Sequence, residues 1–186
     1  TVSGDARLDD IAETENHFKL FDLMLDTADE PLALELVRAF HRTLKQNTAQ
    51  AASDAVFEPG AFKSLPNEVG GILAIAPEAV ESELGALLAS FDERAASLED
   101  VVDFHWRFER IHPFQDGNGR VGRMLMFRSC LVAGVMPFIV ADDRKLFYLR
   151  GLANYHEERG WLLDTCRSFQ DGFERDFLSL VLRIDR

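Results

Sequence analysis

Apolar positions recur at helical spacing along almost the whole chain. Phe18, Phe21 and Leu25 form one stripe. Leu36, Val37, Phe40 and Leu44 form a second, which follows Pro31, a residue suited to a helix start. Val80, Leu84, Leu87, Leu88 and Phe91 repeat at near-ideal helical spacing. Ser97 and Asp100 read as a capping pair opening a helix through Val101, Phe104, Phe108 and Ile111. A further helix is predicted from about Arg120 to Gly134, carrying Leu125, Phe127 and Leu131, and the stretches Leu146 to His156, Leu162 to Cys166 and Phe169 to Leu182 also read helical. The exception is FEPGAFKSLPNEVGG at 57–71, where Gly60, Pro66, Gly70 and Gly71 punctuate short apolar stretches and predict a small hairpin. The expected fold class is therefore all-α with a minor β-hairpin, without repeats or low-complexity segments.

Composition narrows the class. With 186 residues, 47% of them hydrophobic, the chain is expected to form one domain over 1–186 with an adequate core and no need of disulfide or metal staples. Its 32 acidic and 20 basic residues give a net charge of −12, which disfavours nucleic acid as a partner. The excess acid is spread over the helices and reads as solvated surface. Cys130 and Cys166 are too few for a disulfide framework, so reduced thiols and a cytoplasmic location are expected. No apolar run approaches the ~20 residues that span a bilayer, and the polar, acidic N-terminus lacks a signal-peptide pattern, so no membrane is expected. Thr1 in place of Met points to an upstream part that has been cut off or left out, or to processing. A homo-oligomer is left open.

The chemistry is concentrated in HPFQDGNGRVGR at 112–123. Gly117, Asn118 and Gly119 let backbone N–H groups turn inward, and the helix that follows directs its positive end at the same place, which makes an anion nest. Arg120 and Arg123 share a helix face about one turn apart, roughly 5 Å, close to the spacing of adjacent phosphates. Their planar forks suit phosphate oxygens. Asp116 beside that nest would repel phosphate unless a divalent cation lay between, and Mg²⁺ takes one or two carboxylates plus phosphate oxygens and water. His112 is able to accept a proton near neutral pH. Phe114 is expected to point into the core and pin the loop. Pro113 and the glycines break the helix that a His112–Asp116 metal pair would need. His105 falls on a buried stripe and reads as a core histidine; His17, His41 and His156 show no partner pattern and read as structural or exposed. Arg107 and Arg110 line a cleft mouth or, more simply, are solvated.

The run matches the Fic family signature His-Pro-Phe-x-(Asp/Glu)-Gly-Asn-Gly-Arg-x-x-Arg at every specified position. FHWRFERI at 104–111, VMPFIV at 135–140 and RKLFYLRGL at 144–152 also resemble the family, so the resemblance covers about Asn16 to Gly160. It implies a protein adenylyltransferase, an enzyme that moves AMP from ATP to a Ser, Thr or Tyr hydroxyl of a target protein and releases pyrophosphate. By that resemblance His112 is the base and Asp116 holds Mg²⁺. Gly117, Asn118 and Gly119 form the anion hole, Arg120 contacts the β-phosphate region, and Arg123 holds the γ-phosphate. Tyr148 flanks the adenine, with core packing as the alternative. In the related Doc toxins a lysine stands where this chain has Gly119 and the terminal phosphate is moved instead, so Gly119 favours AMP.

The resemblance also implies a flap at Ala61 to Gly70 that pairs in extended form with the target protein, with Lys63, Ser64 and Leu65 as contacts. Many relatives carry an inhibitory helix, Ser/Thr-x-x-x-Glu-Gly/Asn. Here Glu15-Asn16 supplies its end, but Ile11 stands at the hydroxyl position; Ser64 to Glu68 is followed by Val69 and falls in the flap. The inhibitory helix is therefore expected upstream of Thr1, or a separate antitoxin supplies it. Rival readings are a nucleotide-binding regulatory module with negligible turnover, and a family variant that removes AMP or transfers another phosphate-linked group.

Overall fold

Helix α1 (Gly4–Asp26) buries a different face from the one its stripe suggests. The computed structural model describes residues 4–54 and 56–178, with side chains from Ile11 to Phe177. In α1, Asn16, Leu20 and Met24 are buried, whereas Phe18 is 68% exposed and Phe21 and Leu25 are also exposed. The neighbouring helix α2 (Leu34–Lys45) decides the matter. Its last carbonyls have no intrahelical donor, and the Asn16 side-chain amide donates to Leu44 O at 3.1 Å and to Gln46 O at 2.7 Å. Asn16 must face α2, and Leu20 and Met24, one and two turns further on, follow it.

The described chain divides into two compact units. One comprises the chain up to Ser90 together with Arg107–Leu125; the other comprises Phe91–Trp106 and the chain from Met126 onward. In the first unit α2 buries Leu36, Val37, Phe40 and Leu44 as the periodicity predicts, although it begins at Leu34, three residues past Pro31. The short α3 (Ala49–Ser53) follows, capped by the Thr48 hydroxyl, which accepts from Ala51 N. Next come β1 (Glu68–Val69) and β2 (Ile72–Leu73), antiparallel with Val69 opposite Ile72. Gly70 and Gly71 both have positive φ and form the two-residue turn. They are thus the apex of the hairpin, and the second strand extends beyond the Gly70 limit expected for the flap. Helix α4 (Val80–Ser90) buries Val80, Leu84 and Leu87.

Helices α5 (Leu98–Ile111) and α6 (Asn118–Ala133) each contribute residues to both units. The Asp100 carboxylate accepts from Ser97 N at 2.9 Å and from its hydroxyl at 2.6 Å, while Asp100 N donates back to that hydroxyl, so the predicted capping box opens α5. Gly134, at φ +68°, ends α6. In the second unit α7 (Lys145–Asn154) packs on α8 (Arg159–Phe173). The two segments predicted after Leu162 are this single helix, continued by a π-helical turn at Glu174–Leu178; the expected extension to Leu182 lies outside the described residues. The core of this unit gathers Val101, Val102, Met126, Cys130, Phe138, Tyr148, Leu162 and Phe169. The fully buried Arg128 pairs there with Glu93, whose other carboxylate oxygen accepts from Ser129 Oγ at 2.8 Å.

Candidate functional site

The motif residues 112–123 all fall in the first unit, as a loop between α5 and α6 and the opening turns of α6. Phe114 anchors the loop. It is fully buried and stacks on the His41 ring at 3.9 Å between centroids with the planes 5° apart. Asn118, itself buried, closes the turn by exchanging bonds with Phe114: Phe114 N donates to Asn118 Oδ1 at 2.8 Å, and Asn118 Nδ2 donates to Phe114 O at 2.7 Å. The asparagine side chain is therefore a loop brace, and the Arg120 and Val121 N–H groups close the turn on Gly117 O at 3.1 Å. Gly117 sits at φ +81°, in the left-handed region, with His41 and Leu44 against it.

His112 also has positive φ, +52°, a conformation uncommon for a residue with a β-carbon. Its Nδ1 lies 3.2 Å from the Glu109 carbonyl oxygen. A carbonyl only accepts, so Nδ1 carries the proton and Nε2 keeps its lone pair. Burial lowers the His112 pKa below the usual value; the Glu109 carbonyl opposes this, the Lys63 charge adds to it and Asp116 opposes it. The ring is 17% exposed. The lowered pKa favours the neutral ring, whose Nε2 has no hydrogen-bond partner among the described residues.

Asp116 has a side chain 47% exposed, and its Oδ2 accepts from Lys45 Nζ at 2.7 Å. Burial raises its pKa, but the Lys45 hydrogen bond and charge, the Gly117 N–H and Arg120 outweigh that and hold the carboxyl below its ordinary range. Arg120 Nη2 stands 3.8 Å from the same oxygen. Glu13 of α1 completes the cluster, bonded to Lys45 Nζ at 2.5 Å through Oε1 and to Arg120 Nη1 through Oε2. Burial raises the Glu13 pKa too, and the bonds from Arg120 and Lys45 reverse the effect. Near the two motif arginines, His17 has a lowered pKa from burial and from the charges of Arg123 and Arg120. A β-carbon at Gly119 would stand 3.1 Å from Arg123 Nη1 and 4.0 Å from Glu109 Oε1, so the glycine leaves room for that guanidinium.

The segment 61–67 runs against the motif loop. Lys63 N donates to Pro113 O at 2.8 Å, Asn67 Nδ2 to Phe114 O at 2.9 Å, and Leu65 N to Gln115 Oε1 at 3.3 Å. Ser64 and Leu65 face solvent, whereas Lys63 is 4% exposed and turned inward. The structure thus brings together His112, Asp116, Gly117, Asn118, Gly119, Arg120, Arg123 and the flap start. Tyr148 belongs to the other unit, buried in its core with its hydroxyl hydrogen-bonded to His105.

Four participants were not legible as such. Lys45 and His41 lie one turn apart on the buried face of α2. His41 accepts from Gly60 N at Nδ1, 2.8 Å, which fixes its proton on Nε2 for donation to Asp116 O at 3.1 Å. Burial takes the His41 pKa down to about 4, so it stays neutral. A lysine next to Leu44 on an apolar stripe was the available signal. Glu109, buried beside His112 with Oε2 3.8 Å from Nδ1, is one of several acids along α5 and had no pattern to set it apart. Glu13 had no pattern to mark it.

No group of three or more metal-ligating side chains occurs among the described residues. A cation here would therefore have the Asp116 carboxylate as its protein anchor. A single ionised, half-exposed carboxylate beside an anion nest fits a Mg²⁺ that takes its remaining ligands from phosphate and water. Among the described residues no helix is long and apolar enough to cross a membrane.

The Fic/DOC family pattern matches residues 31–130. The protein adenylyltransferase Fic of Nematostella vectensis is 34% identical over 96 residues, 49% of this chain and 22% of that protein. The protein adenylyltransferase fic-1 of Caenorhabditis briggsae is 24% identical over 133 residues, 69% of this chain and 25% of that one. This chain thus spans about a quarter of the length of the curated relatives it matches. A Fic domain containing signaling protein from Bacteroides thetaiotaomicron shares the fold at TM-score 0.71 and 24% identity, covering 90% of this chain and 68% of that one.

Proposed function

The chain belongs to the Fic/DOC family, and from that premise we propose that it is a protein adenylyltransferase, moving AMP from ATP to a Ser, Thr or Tyr hydroxyl of a target protein. The observation that carries this reading is the tautomer of His112: with its Nδ1 proton given to the Glu109 carbonyl, Nε2 is the nitrogen available to a hydroxyl. In the proposed step His112 Nε2 takes the hydroxyl proton as the oxygen bonds to the α-phosphorus. The bond from that phosphorus to the bridging oxygen breaks, and pyrophosphate leaves. Arg120, Arg123 and the α6 N–H groups neutralise charge on the phosphates, which is most of the protein's task in such chemistry. Asp116 would hold Mg²⁺, whose positive charge would offset that of the phosphates.

Glycine at 119 supports AMP transfer over phosphate transfer. The exposed Leu65, Ile72 and Leu73 support target docking along the flap, with backbone pairing at its edge. Two free, buried cysteines suit a reducing, cytoplasmic setting. The reading is tested with α-³²P-ATP and Mg²⁺, with and without cell lysate, against His112→Ala. Label on protein that falls ~10²–10⁴-fold in the variant supports it. ATP binding without label favours a nucleotide-binding module instead, and ADP with a phosphorylated product would overturn AMP transfer.

A further inference from the structure

We propose that Lys63 is a positioning residue for His112, bracing the backbone of the base from the flap and so coupling the flap to proton transfer. The inference rests on the reading of His112 as the base. A left-handed residue that is not glycine costs about 1–2 kcal/mol and persists where its surroundings over-determine it. His112, at φ +52°, is such a residue.

The two carbonyls that flank it are held by the same side: Lys63 Nζ donates to Ile111 O at 3.2 Å and Lys63 N to Pro113 O at 2.8 Å. One residue thus grips the carbonyls of the residues before and after the base. The grip is itself fixed, because Lys63 Nζ also donates to Asn67 Oδ1 at 2.7 Å and Asn67 Nδ2 donates to Phe114 O at 2.9 Å.

Lys63 is an unusual choice for a purely structural brace. Its ammonium is buried, and among the described residues no carboxylate pairs with it; burial lowers its pKa to about 8. A buried cation without a counter-charge is costly. What it supplies here, from the backbone it grips, is a positive charge whose field opposes protonation of the imidazole. The titratable groups around His112 are Lys63 from the flap, Asp116 from the loop and Glu109 from α5, whose carboxyl burial pushes up to about 7. Lys63 disfavours the imidazolium and so keeps the base ready.

The test compares wild type, Lys63→Met, Lys63→Arg and His112→Ala. The first readout is the His112 imidazole pKa by ¹⁵N NMR, which needs no turnover. Lys63→Met is expected to raise it by about half a unit or more, and Lys63→Arg, which keeps the charge, to leave it near wild type. The second readout is kcat and KM for label transfer from ATP. Lys63→Met is expected to lower kcat by about tenfold or more through misplacement of the base, with KM for ATP little changed. An unchanged His112 pKa together with undiminished, His112-dependent transfer in a folded Lys63→Met protein would overturn the proposal. If wild type shows no His112-dependent transfer, the reading of His112 as base fails, and the NMR shift still decides whether Lys63 acts on that ring. Should Lys63→Met not fold, Lys63→Gln carries the same test.

Discussion

Lys45 Nζ lies 2.7 Å from Asp116 Oδ2, joining the last turn of α2 to the motif loop. With Glu13 bonded to the same ammonium at 2.5 Å, a lysine only 1% exposed holds two carboxylates. Lys45→Met leaves those carboxylates facing each other with Arg120 as their remaining partner. Breaking a buried pair costs ~3–5 kcal/mol, and because both acids are partly exposed the expected loss here is about 2 kcal/mol, measured by urea unfolding at pH 7. The pH dependence has a definite sign. Both carboxyls have pKa values depressed in the fold, so their stabilisation is complete above the unfolded values of ~4 and is lost as pH falls through the folded ones. Wild type should approach Lys45→Met in stability as the pH is taken below about 4.

The Glu13 carboxylate occupies Arg120 and Lys45, two cations of the motif cluster. A phosphate arriving at Arg120 must displace it. Glu13→Gln removes the competing charge while keeping the side chain's shape, so ATP is expected to bind about tenfold tighter, equivalent to ~1.4 kcal/mol. Isothermal titration calorimetry decides; unchanged affinity would mean that phosphate does not use Arg120 as its first contact.

The motif could be read from sequence because its spacing is local: residues 112–123 need only a turn and a helix start to converge. Helix α2 was equally legible, since Leu36, Val37, Phe40 and Leu44 obey one period and are all buried. What could not be read was the match between distant segments. Periodicity marked Phe18 and Leu25 in α1, yet the buried face was set by Asn16 reaching the end of α2. His41 and Lys45 owe their roles to Gly60, Glu13 and Asp116, which are neighbours only after folding. Lys63 read as a surface contact because a lysine in a turn-rich stretch ordinarily is one.

Gly117 and Gly119 respond oppositely to alanine. At Gly117 the strain is in the backbone: φ is +81°, and the added β-carbon would find ordinary contacts at 3.5 Å. Gly117→Ala is expected to lose about 1 kcal/mol of stability. Gly119 lies in the first turn of α6 with no positive φ, so Gly119→Ala gains part of the ~1 kcal/mol that separates the two residues in a helix interior, but its β-carbon would stand 3.1 Å from Arg123 Nη1. The guanidinium must shift, and ATP affinity should fall as thermal stability rises. A variant weaker in both respects would contradict this assignment of the space.

Glu109 links stability to pH through the same site. Burial pushes its carboxyl up to about 7, with Arg123 pulling the other way. Between ~4.3 and about 7 the unfolded chain has released this proton while the folded protein keeps it, so stability falls as pH rises across that window and levels off above it. The full drop attributable to this carboxyl is on the order of 3 kcal/mol. Glu109→Gln replaces the acid with a neutral group of the same shape and should remove the slope, making the variant more stable than wild type at pH 8 and nearly equal to it at pH 4.5. The glutamine keeps the backbone carbonyl that receives the His112 Nδ1 proton, so His112-dependent transfer should survive. Urea unfolding at the two pH values, read beside the transfer rate, separates the cost of the buried acid from any part it plays at the base.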